Sequence, residues 1–310
     1  MGKKILLAVD DSVYSEDAVK YAARITSDAK DVRYTLFSIQ SPVPHILFIE
    51  GAEGGSEVNA EVGKLVRRNA EAVGRTVQRF KDLMVLEGIP ENRIETVAEP
   101  VRLGLAKDIL SRAEQGSFDA ILLARSGLTP SRDFFIGTIA AKVVEHALRI
   151  PVWVADGKST SVKIMVAVDA SENGLRVVDY LTHMVGANPE IRLTLFHVLP
   201  HLRHYYSIDF ETENPHLQEV LHREDKRRME DFHEKAHQIF EARGLTKSQI
   251  EIKTNTRSYD VSTAILDEAR NGDYGTVVVG RRGERGAFFI GRVPMRLVQK
   301  VSNQALWVVP

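Results

Sequence analysis

Residues 124–138 read Ala-Arg-Ser-Gly-Leu-Thr-Pro-Ser-Arg-Asp-Phe-Phe-Ile-Gly-Thr, and residues 280–292 write the stretch again in shorter form, Gly-Arg-Arg-Gly-Glu-Arg-Gly-Ala-Phe-Phe-Ile-Gly-Arg. Each copy leaves a short aliphatic run, turns through glycines with arginines beside them, and enters a segment with helical spacing. Glycine lets a backbone approach a ligand closely, and the first turn of a helix presents unpaired N–H groups and the positive end of its dipole. This is the layout of an anion site, with phosphate as its natural guest.

Working outward, the elements around the two loops also match. Lys4 to Asp10 (KILLAVD) and Lys163 to Asp169 (KIMVAVD) are continuous aliphatic runs ending in acid, the pattern of a strand buried on both faces of a parallel sheet. Each is followed by a polar cap and a helical pattern, Ala18, Tyr21, Ala22 and Ile25 in the first copy and Val177, Val178 and Leu181 in the second. Second strands at Arg33 to Ile39 and Arg192 to Leu199 share Thr-Leu-Phe. Long charged helices follow, about Val58 to Glu87 and about His216 to Arg243. Third strands lie at Ile94 to Ala98 and Ile250 to Asn255, and helices follow them near Leu103 to Ala113 and Val261 to Ala269. Fourth strands at Ala120 to Leu123 and Thr276 to Val279 deliver the chain into the loops. Helices from about Ile139 to Leu148 and about Met295 to Val301 lead to closing strands that each carry a tryptophan, Val152-Trp153-Val154 and Leu306-Trp307-Val308.

The pattern is an internal duplication, with domains expected at residues 1–156 and 162–310 and a short Gly/Lys/Ser/Thr linker, Asp156 to Ser161, between them. Alternating strands and helices imply an α/β fold of two tandem doubly wound domains, each a five-stranded parallel sheet with helices on both faces. Ligands on such sheets bind beyond the carboxyl ends of the strands, where the crossover direction reverses. If strands one and four are neighbours, the acid that ends the first and the loop that follows the fourth share one cleft.

Composition excludes several classes. The 310 residues suit two domains of ordinary size, and no run approaches the ~18 apolar residues of a membrane helix. With 41 basic and 42 acidic residues, the chain has no charge excess to bind nucleic acid or a membrane surface without a local site. It has no cysteine, so disulfides, thiolate metal sites and thiol catalysis are out. The apolar run at the N-terminus is too short for a signal sequence, so the expected location is cytoplasmic.

The loops carry a family likeness: the chain resembles a tandem universal stress protein, whose nucleotide-binding domains have a first-strand Asp and the loop G-x2-G-x9-G-[ST]. The resemblance implies the strand order 3-2-1-4-5 in each half. It also implies a stress-response regulator that binds ATP or another adenine nucleotide, with Mg²⁺ as an optional companion, and not an enzyme. Asp10 and Asp169 would face the adenine and ribose end, Ile39 and Val198 would lie against the base, and the loops would hold the phosphates. In the first loop these are Ala124, Arg125, Gly127, Gly137 and Thr138; in the second they are Gly280, Arg281, Gly283, Gly291 and Arg292.

Neither loop keeps the whole pattern. Ala124 replaces the first glycine of the first loop, whose spacing is otherwise intact. The second keeps Gly280 and Gly283 but is two residues shorter before Gly291, and Arg292 replaces the small hydroxyl residue, either to pair with a phosphate or to take its place. A plain strand-to-helix turn is the bland alternative for each loop, and helix capping the alternative for Asp10 and Asp169. These departures keep a second function class open, an interaction scaffold that has lost its nucleotide.

Enzyme readings rank lower. There is no Walker lysine motif, so slow ATP hydrolysis would need Mg²⁺ and a positioned water that the sequence does not name. His233-Glu-Lys-Ala-His237 matches the H-E-x-x-H zinc peptidase signature, but it lies in a charged helix beside an apolar stripe of Met229, Phe232, Ala236, Ile239 and Phe240 and has no third ligand downstream; no zinc is expected. Pro44 to Gly51 and His204 to Phe210 are apolar for connections and would cover the clefts, meet a partner, or pack on their own domain. The tryptophan strands would be sheet edges, and the simplest remedy is for them to pair as an internal pseudo-dimer; a homodimer of chains is compatible but no residue demands it.

Overall fold

The computed structural model describes residues 2–40, 44, 46–47, 56–125, 138–186, 188–199, 201, 215–258, 260–281 and 291–310. Gly127, Gly137, Gly283, His204 to Phe210 and most of Pro44 to Gly51 lie outside the described residues, as does the side chain of Thr138. In the first half the elements are β1 (Lys3–Ala8), α1 (Val13–Ile25), β2 (Val32–Gln40), α2 (Ser56–Leu86), β3 (Ile94–Pro100), α3 (Leu105–Gln115), β4 (Ala120–Ala124), α4 (Thr138–His146) and β5 (Val152–Ala155). The second half repeats the series as β6 (Lys163–Val168), α5 (Glu172–Val185), β7 (Arg192–Val198), α6 (Pro215–Ala242), β8 (Ile250–Asn255), α7 (Val261–Asn271), β9 (Thr276–Gly280), α8 (Arg292–Lys300) and β10 (Ala305–Val309).

Ten strands form one sheet in the order β3-β2-β1-β4-β5-β10-β9-β6-β7-β8. Each half contributes the order 3-2-1-4-5, and within each half all pairings are parallel. Aliphatic runs give this result because a central parallel strand is covered on both faces; Ile5, Leu6 and Leu7 are all fully buried. Two apolar cores lie on the two faces, and both extend across the halves. One joins Ile5 and Leu7 to α1, α2, α5 and α6, and the other joins Leu6 to α3, α4, α7 and α8. Crossovers on opposite faces make the gap between β1 and β4 the point where winding reverses. The outer strands β3 and β8 carry exposed Glu95 and Glu251, charges that discourage further strand addition. No described helix is long and apolar enough to cross a membrane.

The halves meet through β5 and β10, which pair antiparallel with Trp153 opposite Trp307. The two indoles stack with ring centres 3.7 Å apart and planes 3° from parallel, an arrangement that adds about 0.5–1.5 kcal/mol beyond area burial. Each indole N–H finds a tyrosine in the opposite half. Trp307 Nε1 donates to Tyr21 Oη (2.8 Å), and Trp153 Nε1 donates to Tyr180 Oη (3.0 Å). Tyr180 Oη in turn donates to Asp119 O (3.0 Å), while Tyr21 Oη pairs with the Thr276 hydroxyl. Burial holds both phenols well above the ordinary tyrosine range, so they remain neutral. The linker is docked as well: Ser159 Oγ donates to Gly275 O, and Arg24 of α1 donates to Ser159 O.

Candidate functional site

β1, β2 and β4 end together at the winding reversal, and a cavity of about 90 Å³ opens there in the first half. Phe37 and Ile39 of β2 and Leu105 and Ile109 of α3 supply apolar walls. Asp10 and Ser15 stand at one end, and Leu123, Ala124 and Arg125 come from the end of β4. Ile139 and Ala140 bring the first turn of α4 to the lining. An apolar slot, a carboxylate beside it and a helix N-terminus at its border suit a ligand with a flat apolar-faced part, hydroxyl donors and an anionic end.

Asp10 lies two residues beyond β1, and it is not the cap of α1. Ser12 takes that role, accepting from Ser15 N–H. The Asp10 carboxylate is instead gripped through one oxygen: Oδ1 accepts from Ser12 N (3.2 Å), from the Ser12 hydroxyl and from Ser15 Oγ (2.7 Å). Ser15 Oγ also accepts from Asp10 N–H at 3.0 Å. Among the described residues Oδ2 accepts no hydrogen bond, so a fixed carboxylate keeps one oxygen for a ligand. Ser15 was not singled out from the sequence, although comparing the halves would have found it, because Gly174 stands at the matching place.

Asp169 stands at the matching place in the second half. Ser171 caps α5, and its hydroxyl donates to Asp169 Oδ1. No serine can stand at position 174 without movement, since a Cβ there would fall 2.8 Å from Asp169 O. Val198 is buried at the end of β7, whereas Ile39 is partly open.

At the first-glycine positions, Ala124 and Gly280 both have strand backbone, and neither is among the residues with positive φ. The methyl of Ala124 therefore introduces no strain. The two arginines that follow reach with their guanidinium groups to helix carbonyls of the opposite half. Arg125 Nη1 donates to Val301 O (2.6 Å) and Asp156 Oδ2 (3.1 Å), and Nη2 donates to Gln299 O (2.6 Å). Arg281 Nη1 donates to Val144 O (2.5 Å) and Ala147 O (3.3 Å), and Nη2 donates to Glu145 O (2.5 Å). Each arginine is buried and caps the C-terminus of a helix in the opposite half. A guanidinium engaged by helix carbonyls has fewer donors to offer a phosphate.

In the second half, the ends of the short loop are joined directly, Gly291 N–H donating to Arg281 O at 3.0 Å. α8 also begins three residues before its expected start, because Pro294 is tolerated in a first turn. That proline removes one N–H from the turn, and the Gly291 bond uses another. Arg292 is exposed on the first position of α8.

The H-E-x-x-H pair does not converge on a metal. His237 Nε2 lies 3.2 Å from Glu241 Oε1, and the buried Nε2 of His233 has no hydrogen-bond partner among the described residues. Burial first, and then the His197 charge, push the His233 imidazole below its ordinary range. Among the described residues no three His, Asp or Glu side chains are grouped to hold a metal ion.

Comparison with known proteins places this geometry. No curated protein matches the chain. Among solved structures, it is similar to a functionally unknown protein from Pseudomonas aeruginosa PAO1, with 14% identity and a TM-score of 0.57, covering 99% of this chain and 92% of the other. It is similar to the same degree to a universal stress protein from Archaeoglobus fulgidus DSM 4304, with 15% identity and a TM-score of 0.56, covering 99% of this chain and 97% of that one. These likenesses concern the fold alone. The family model for the universal stress protein family matches residues 1–156 and again residues 161–310, and the chain therefore belongs to that family as a tandem of two such domains.

Proposed function

We propose that the first half binds an adenine nucleotide, ATP foremost, and that the chain is a nucleotide-responsive regulator of the stress response, not a catalyst. The observation that carries this reading is the cavity at the β1/β4 reversal, where an apolar slot, the first turn of α4 and a carboxylate whose second oxygen accepts no hydrogen bond among the described residues line one space. The base lies between Phe37, Ile39, Leu105 and Ile109, a ribose hydroxyl donates to Asp10 Oδ2, and the phosphates lie at the start of α4 with the glycines of residues 127–137. Gly127, Gly137 and Thr138 keep their assignment as phosphate-binding positions on the family pattern.

The second half has diverged on this reading. Its helix N-terminus has lost donors to Pro294 and to the Gly291 bond, so Asp169, Val198, Gly280, Gly283 and Arg292 belong to a domain that supports the first and carries the interaction role. Isothermal titration with ATP tests the site. Asp10→Ala should weaken binding by about ten- to a hundredfold, the loss expected for a hydrogen bond to a charged group. An Asp10→Ala chain that binds ATP as the parent does would remove the proposed site.

A further inference from the structure

α4 has its first turn at the first-half cavity and its last carbonyls at the seam between the halves. Those carbonyls are collected by Arg281, which leaves β9 of the second half and is 2% exposed. The last carbonyls of any helix lack intrahelical partners, and the planar guanidinium meets three of them at once, from Val144, Glu145 and Ala147. Its charge also stands at the negative end of the helix dipole. A helix of 9 residues is a rod about 13 Å long at ~1.5 Å per residue, so fixing one end in position and rotation fixes the other.

The matching contact runs the opposite way. Arg125, at the root of the first-half loop, holds Gln299 and Val301 at the end of α8. Each half thus anchors from behind the helix whose front borders the other half's loop.

Resting on the reading of the first half as a nucleotide site, we propose that Arg281 is a positioning residue for that site, supplied by the second half. It sets where the first-turn N–H groups of α4 stand relative to Asp10. The nucleotide affinity of the first half therefore depends on a side chain that never touches the ligand. This gives the diverged half a task that does not need a nucleotide of its own.

The test is titration of the full chain with ATP, comparing parent, Arg281→Gln, Arg281→Lys and Tyr180→Phe. The last loosens the seam without touching α4 and serves as the control for a merely structural effect. Arg281→Gln should weaken binding about 5- to 20-fold, within the usual range of coupling between sites. Arg281→Lys should recover part of that loss, since it keeps the charge and loses the fork. Tyr180→Phe should lower the melting temperature and leave the affinity alone. Amide exchange of the unliganded Arg281→Gln chain should be faster along residues 139–146 than in the parent.

If Arg281→Gln melts earlier but binds ATP like the parent, Arg281 is structural only and the proposal fails while the nucleotide site stands. A parent chain that binds no ATP overturns both together, and that outcome is recognised before any variant is compared. Should Arg281→Gln fail to fold, Arg281→Lys decides: parental affinity in that variant overturns the proposal.

Discussion

Asp10 owes its fixed orientation to two serines, and Ser15 is held to it by two bonds, donating to Oδ1 at 2.7 Å while accepting from the Asp10 N–H. Ser15→Ala removes both bonds at a buried place, which should cost about 1–3 kcal/mol of stability for the polar groups left unsatisfied. Chemical denaturation reads this directly, and an unchanged unfolding free energy would contradict it. ATP affinity should fall alongside, because the freed carboxylate no longer keeps Oδ2 in place. At this scale the acid was legible from its place at the end of an aliphatic run, and Ile39 from its place at the end of the second strand. For Arg125 and Arg281 the sequence hides the helix ends that their guanidinium groups reach. Beside glycines, an arginine looks like an anion ligand, and only the pairing of the halves shows that a helix end is nearer. The clue in the sequence was that arginine recurs at both loop roots although the glycine before it does not.

Helices and strands were read more securely, because buried parallel strands and amphipathic helices write their period into the chain. The exceptions have local causes, such as α8 starting at Arg292 because Pro294 fits a first turn. α6 shows how a motif dissolves once its packing is known. His233 stands next to Phe232, whose ring is buried, and is kept below the ordinary imidazole value of 6.5 by burial and then by the His197 charge. A group held neutral in this way contributes stability above its unfolded value, and the contribution is lost as pH falls through the depressed folded value. The unfolding free energy should therefore decline as the solution is acidified below 6.5, and His233→Phe should decline less steeply over the same range. Denaturant titrations at neutral and mildly acid pH check this. Equal slopes in the parent and the variant would show that His233 titrates alike in the folded and unfolded chain. His183, lowered by burial and by Lys3 and Arg243, adds a term of the same sign.

As a whole, the molecule is a duplication closed on itself. The apolar edges that a single domain would expose, β5 and β10, cover one another and stack their tryptophans, leaving charged strands at the ends of a single sheet. The repeat made this pairing readable, since two matching edges in one chain have each other as the nearest remedy. What the repeat concealed is how far the halves differ at matching positions. Serine at 15 against glycine at 174, and alanine at 140 against proline at 294, are small changes in a matching frame. They set whether a serine hydroxyl of the following helix reaches the acid and whether a helix start has lost an N–H donor. Mass spectrometry of the small molecules released by denaturing freshly purified protein, with nucleotide counted per chain, tests this asymmetry most directly. The account predicts a single adenine nucleotide per chain, lost in Gly127→Val and retained in Gly283→Val. No nucleotide, together with a melting temperature that added ATP leaves unmoved, would contradict it.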